Sequence, residues 1–89
     1  MKYRSRSDIV SMILESARAG ATKTKIMYNA YLSYSQVIEY LKYLQQNDLL
    51  AYEEGTHLYR PTEKGLKFLN LSDELSEMMP IINSKNNGI

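Results

Sequence analysis

The chain contains no cysteine. Disulfides are therefore excluded, and so is any zinc site with thiolate ligands. Its single histidine, His57, cannot build a metal site without carboxylates or a second subunit. There is no glycine-rich phosphate loop, no thiol nucleophile, and no carboxylate pair beside a histidine, so the sequence offers neither an enzyme constellation nor a cofactor site. No apolar run approaches the roughly 18 residues that mark a membrane span. The opening MKYRSRSDIV is basic but is followed by no uninterrupted apolar stretch, which is unlike a secretory signal. A cytoplasmic protein is the default expectation. With 89 residues there is room for one domain, too small to enclose a deep substrate pocket. Having no staple, such a domain must rely on helix packing and on self-association.

The net charge of +1 hides an asymmetry. Residues 1–47 carry seven basic residues (Lys2, Arg4, Arg6, Arg18, Lys23, Lys25 and Lys42) against three acidic ones, a net of +4. Residues 48–89 carry four basic against seven acidic, a net of −3. A basic face is expected in the first half.

Apolar spacing predicts four helices and one hairpin. Ser5 and Asp8 form a capping pattern for a helix from about Arg6 to Ala19, with Ile9, Val10, Ile13, Leu14 and Ala17 on one face and Gly20 as the stop. Thr22 caps a short second helix ending near Ala30, with Ile26, Met27 and Ala30 inward. Ser33 and Gln36 repeat the capping box for a third helix to about Gln46. Its apolar arc holds Tyr34, Val37, Ile38, Tyr40, Leu41 and Leu44; Ser35, Gln36, Glu39, Lys42, Tyr43 and Gln46 lie on the other side. Leu49–Tyr52 and His57–Arg60 read as strands around Glu53-Glu54-Gly55-Thr56, with Gly55 supplying a positive φ. The hairpin should lean on the helices through Leu50 and Tyr59, since two strands are not stable alone. Pro61 closes it, and Thr62 caps a last helix to about Met79, before Pro80. The fold class is mainly α with a small β-hairpin: helix, helix, helix, hairpin, helix. Two helices joined by a short turn and followed by such a hairpin make a winged helix-turn-helix. Residues 1–79 form this domain, and residues 80–89 are expected to be a disordered tail.

The stretch TKTKIMYNAYLSYSQVIEYLKYLQQNDLL, followed by YRPTEKGLKFL, resembles the small archaeal winged-helix proteins that act as transcriptional regulators or chromatin-associated DNA binders. The matching features are Thr24-Lys25, Ile26-Met27-Tyr28, Leu32-Ser33-Tyr34, and Tyr40-Leu41 before Leu44. Beyond the hairpin they are Thr62, Lys64-Gly65 and Phe68-Leu69. The likeness spans roughly residues 5 to 70. It implies double-stranded DNA as partner, with the third helix in the major groove, and a homodimer paired through the last helix. In two respects this chain departs from that pattern: Pro80 shortens the last helix, and the wing tip is acidic where a phosphate-contacting wing would carry Lys or Arg.

Candidate contacts follow from position. Ser35, Gln36, Glu39 and Tyr43 on the outer face of the third helix are candidates for bases: Gln pairs with adenine, Glu accepts from cytosine, and Ser is permissive. A plain solvated face has the same composition. Lys23, Thr24 and Lys25 sit on the helix that crosses the DNA backbone, so they are candidates for phosphates, with Lys42, Arg4 and Arg6 beside them. Solubility charge and a frayed terminus are the bland alternatives. Tyr28, Tyr40 and Tyr59 are expected to pack in the core or hairpin with their hydroxyls at its edge; Tyr34 and Tyr43 stay candidates for DNA. Phe68, Leu71, Leu75 and Met78 repeat at spacings of three, four and three, which is the pattern of a helical dimer seam, while Leu66 and Leu69 are expected to face the protein's own core. The competing function is a winged-helix module that binds protein and not DNA, favoured by the acidic wing and the acidic last helix. RNA binding comes third.

Overall fold

The computed structural model describes residues 4–78. The element order is α1 (Arg6–Ser16), α2 (Lys23–Asn29), α3 (Tyr34–Gln46), β1 (Leu50–Glu53), β2 (Leu58–Pro61) and α4 (Glu63–Met78). This is the expected helical fold with an antiparallel hairpin as its wing. The expected tail, residues 80–89, and Met79 and Lys2 lie outside the described residues.

Local chemistry starts each helix. In α1 the Ser5 hydroxyl accepts the Asp8 N–H at 3.1 Å, and the Asp8 carboxylate accepts the Ser5 N–H at 3.1 Å. Thr22 accepts the Lys25 N–H at the head of α2. Ser33 and Gln36 make the second reciprocal box at the head of α3. Each cap satisfies donors that the first helical turn leaves free.

The ends of the helices are less conventional. α1 stops at Ser16, short of the expected Ala19, and Ala17 caps it. Gly20 follows with φ +94, and a side chain there would press on the Arg60 guanidinium 3.1 Å away. α2 ends with Tyr31 at φ 55; Leu32 N–H returns to Met27 C=O and Tyr31 N–H to Tyr28 C=O. α3 ends the same way, with Asp48 at φ 59 and Leu49 N–H on Leu44 C=O. This paired-bond cap satisfies two terminal carbonyls, and glycine is its usual residue. Here tyrosine and aspartate hold it.

The core is built from Ile13, Leu14, Ile26, Val37, Leu44 and their buried neighbours on all four helices and β1. On α3 only Val37, Leu41 and Leu44 are buried. Tyr34 and Ile38, placed in the apolar arc by spacing, are exposed. Tyr34 is the first residue of α3, one turn before the buried layer, and Ile38 lies at the arc's edge. Tyr28 is exposed too, contrary to the core position expected of it. Tyr40 and Tyr59 do pack against the core.

The hairpin pairs Leu50 with Pro61, Ala51 with Arg60, Tyr52 with Tyr59 and Glu53 with Leu58. Leu50 is buried and Tyr59 half-buried, so the wing rests on the helices as expected. It is also tied by an isolated bridge: Ala21 N–H donates to Tyr59 C=O at 3.0 Å, and Tyr59 N–H to Ala21 C=O at 2.8 Å. The left-handed residue of the loop is His57 (φ 62), not Gly55. Four residues separate Glu53 from Leu58, and a loop of that length is built around an ordinary turn rather than the tight two-residue type that needs glycine. The Tyr52 hydroxyl holds His57 Nδ1 at 2.7 Å.

α4 is locked to the end of α3. Thr62 Oγ1 accepts the Gly65 N–H and donates to the Asp48 carbonyl at 2.6 Å, and Lys64 Nζ donates to the Asn47 carbonyl at 3.0 Å. Gly65 is buried because the Leu49 carbonyl lies directly against it. That contact sets the rotation of α4. Gly65, Leu69 and Ser72 line its inner face, and Ser72 meets Ser11 of α1 at 3.2 Å. Leu66 therefore turns outward, while Phe68 packs against the core from one side. This reverses the roles that spacing assigned to Leu66 and Phe68.

Candidate nucleic-acid interface

α2 and α3 present the helix-turn-helix, joined through Ala30–Ser33. On the outer side of α3, Ser35, Gln36, Glu39 and Lys42 are exposed and Tyr43 is partly so. The core seam of Val37, Leu41 and Leu44 holds this face outward. Gln36 is constrained. Its side-chain oxygen accepts the Ser33 N–H at 2.9 Å, which leaves one oxygen lone pair and the amide NH2 free. The capping box therefore fixes the orientation in which this amide can meet an adenine edge.

Two described cations form ion pairs, and Arg4, Lys64 and Lys67 form none but lie off the outer face of α3, held by carbonyls or placed on α4. Arg18 pairs with Glu15 at 2.9 Å, and Arg60 with Glu53 at 3.2 Å. Arg6, Lys23, Lys25 and Lys42 have no carboxylate partner among the described residues. Lys23 lies 5.2 Å from the centre of the Tyr34 ring and 3.5 Å from its hydroxyl. It is also near Tyr59, whose hydroxyl burial pushes up and Lys23 pulls back. Lys25 and Thr24 are exposed on the same helix. Arg6 reaches across from the first turn of α1 to α3, 5.5 Å from the Tyr43 ring centre, and lines a small cleft with Glu39, Tyr40 and Tyr43. The fold thus joins one residue of the proposed basic arm to the outer face of α3.

Arg4 has a different task from the one expected. Its guanidinium donates to the carbonyls of Ala30 and Tyr31, the latter at 3.0 Å, and touches Met12 Sδ at 3.4 Å. It closes the end of α2 instead of projecting as an arm. No local signal marks this, since its partners lie 26 and 27 residues away.

The wing is quieter than its sequence suggests. The Thr56 hydroxyl, 2.6 Å from Glu53, and then the charge of Arg60 hold the Glu53 carboxyl below its ordinary range. Its negative charge is answered within the hairpin, leaving Glu54 as the unpaired acid at the tip.

Residues 3–80 match the model of a family described as winged helix-turn-helix. The chain belongs to the winged helix-turn-helix family. Domains of this family are in general DNA-binding and typically non-enzymatic. No curated protein matches the chain. Among the described residues no helix is long and apolar enough to cross a membrane, and no cluster of His, Asp or Glu could hold a metal ion.

Proposed function

We propose that this winged helix-turn-helix protein binds duplex DNA as a transcriptional regulator or architectural protein, with α3 in the major groove and α2 along the backbone. The observation that carries this is the placement of charge. Arg6, Lys23, Lys25 and Lys42 lie without carboxylate partners among the described residues around the exposed face of α3 and on α2, while Lys64 and Lys67, also without ion pairs, lie apart on α4. Lys23, Lys25, Lys42 and Arg6, with the Thr24 hydroxyl, hold phosphates. Ser35, the free amide of Gln36, Glu39 and Tyr43 meet base edges. With the archaeal resemblance, this implies a cytoplasmic protein acting on chromosomal DNA.

Base reading has its own test. Ser35→Ala and Gln36→Ala should change the preferred site in a random-site selection more than they change affinity for random duplex. One good base contact is worth about 1–3 kcal/mol at its cognate pair. An unchanged preference would show that these side chains do not read bases.

We also infer a homodimer. Leu71, Leu75 and Met78 expose 55, 61 and 74% of their surface along one stripe of α4. Three large exposed apolar side chains in a row on one helix favour a symmetric helical seam. Phe68 is half-covered by the protein's own core, so it would contribute only at the seam's base. The variant Leu75→Lys/Met78→Lys should sediment as a folded monomer and bind DNA much more weakly. Wild-type protein sedimenting as a monomer at micromolar concentration would overturn the dimer.

A further inference from the structure

Three exposed tyrosines are given no base or phosphate in the proposed duplex complex, though Tyr34 is a candidate for DNA by its position. Tyr28, Tyr31 and Tyr34 expose 69, 76 and 61% of their surface, and they fall in the last turn of α2, the connecting turn, and the first residue of α3. Single exposed apolar residues are ordinary; three exposed aromatic rings spaced every third residue across the α2–α3 connection are not. No ring of the three packs on another aromatic among the described residues.

Tyr31 carries a second signal. Its φ of 55 is a conformation that glycine takes freely and a bulky residue resists. The ring gains nothing from burial in return. Arg4 clamps this strained turn, donating to the Ala30 and Tyr31 carbonyls from the far end of the described chain. Backbone strain held in place at an exposed aromatic points to a use for the ring.

The surroundings say what would use it. From Ser16 to Ile38 the sequence has no acidic residue. Lys23 stands 5.2 Å from the Tyr34 ring centre, and Lys25 is exposed one turn before Tyr28. The neighbours Thr24, Asn29, Ser33 and Ser35 are polar and exposed, so the only charges beside the rings are positive, which suits a polyanion. Flat rings for bases and lysines for phosphates are the two parts of a single-strand site. We propose that Tyr28, Tyr31 and Tyr34, with Lys23 and Lys25, form a stacking platform for single-stranded DNA, lying beside the duplex-reading face of α3.

The chain has no tryptophan, so its fluorescence is that of tyrosine, and stacked bases quench it. Oligothymidylate at low salt should quench the wild type. Tyr28→Leu/Tyr31→Leu should weaken that binding by roughly fivefold or more for each ring lost, and Tyr28→Phe/Tyr31→Phe should retain it. Random duplex, titrated in parallel, should bind the Leu variant as it binds wild type. Tyr31→Gly relieves the strained φ, so it should raise the melting temperature while lowering single-strand affinity, which keeps the test open if the double variant folds poorly. The proposal is overturned if oligothymidylate fails to bind the wild type. It is equally overturned if the Leu and Gly variants bind it like wild type, if single-strand and duplex affinity fall together, or if oligouridylate is strongly preferred. Loss of duplex binding by the wild type, with oligothymidylate still bound, would contradict the proposed duplex function and leave this site standing.

Discussion

Replacing Lys23 and Lys25 together with alanine should lower affinity for random duplex about 60-fold at 0.1 M salt. The figure follows from counterion release. Each phosphate contact contributes about 0.9 to the slope of log affinity against log salt, so two contacts are worth about 1.8 log units at 0.1 M and almost nothing near 1 M. The slope should therefore flatten by about two, and all sequences should suffer alike, since phosphates carry no sequence information. Lys23 also sits against Tyr34 and near Tyr59, so its loss touches packing as well as charge. Lys25 is fully on the surface, and Lys25→Ala alone should remove half of the slope change with an unaltered melting temperature. Fluorescence anisotropy across a salt series reads both quantities. An unchanged slope would show that these lysines serve solubility and not DNA.

Gly65→Ala should lower the melting temperature by roughly 8–16 °C. Helix propensity alone predicts the opposite sign, because alanine favours a helix over glycine by about 1 kcal/mol. Geometry decides. A Cβ at Gly65 would lie 2.2 Å from the Leu49 carbonyl oxygen and 3.3 Å from Pro61 Cβ. The first neighbour is backbone and also accepts the Thr62 N–H at 3.1 Å, so moving it disturbs the junction between α3 and α4. Overpacking of this kind costs about 3 kcal/mol at the upper end of its usual range, which leaves a net loss of about 2 kcal/mol after the propensity gain. For a domain of this size each kcal/mol shifts the midpoint by about 4–8 °C. A circular-dichroism melt that moves upward would mean that α4 can slide away from Leu49 at little cost.

Helix starts were legible because their signals are local. Ser5 with Asp8, Thr22, and Ser33 with Gln36 each act within one turn, and each cap forms in the structure. What the sequence hid depends on partners far along the chain. Arg4 reaches Ala30 and Tyr31, Ala21 bonds Tyr59, and Gly65 meets Leu49; none of these contacts leaves a periodic trace. The rotation of α4 is the clearest case. Spacing alone puts Leu66 inward and Phe68 in the seam, and the close approach at Gly65 turns the helix so that Phe68 packs on the core and Leu66 faces out. Left-handed positions were obscured for another reason: Tyr31, Asp48 and His57 occupy places where glycine is the usual marker. Gln36 carries two roles that the sequence already contained. The capping box that identifies α3 uses one lone pair of the amide oxygen that a two-bond adenine contact also needs, and so limits how an adenine can approach.

Duplex binding by α2 and α3 is tested most directly by titrating the wild-type chain with labelled random duplex DNA at several salt concentrations. The four cations of the proposed interface, Arg6, Lys23, Lys25 and Lys42, predict binding at low salt and a slope of log affinity against log salt of about −3 to −4 per protomer. No binding at low salt, or binding that salt leaves unchanged, would contradict a phosphate-holding helix-turn-helix.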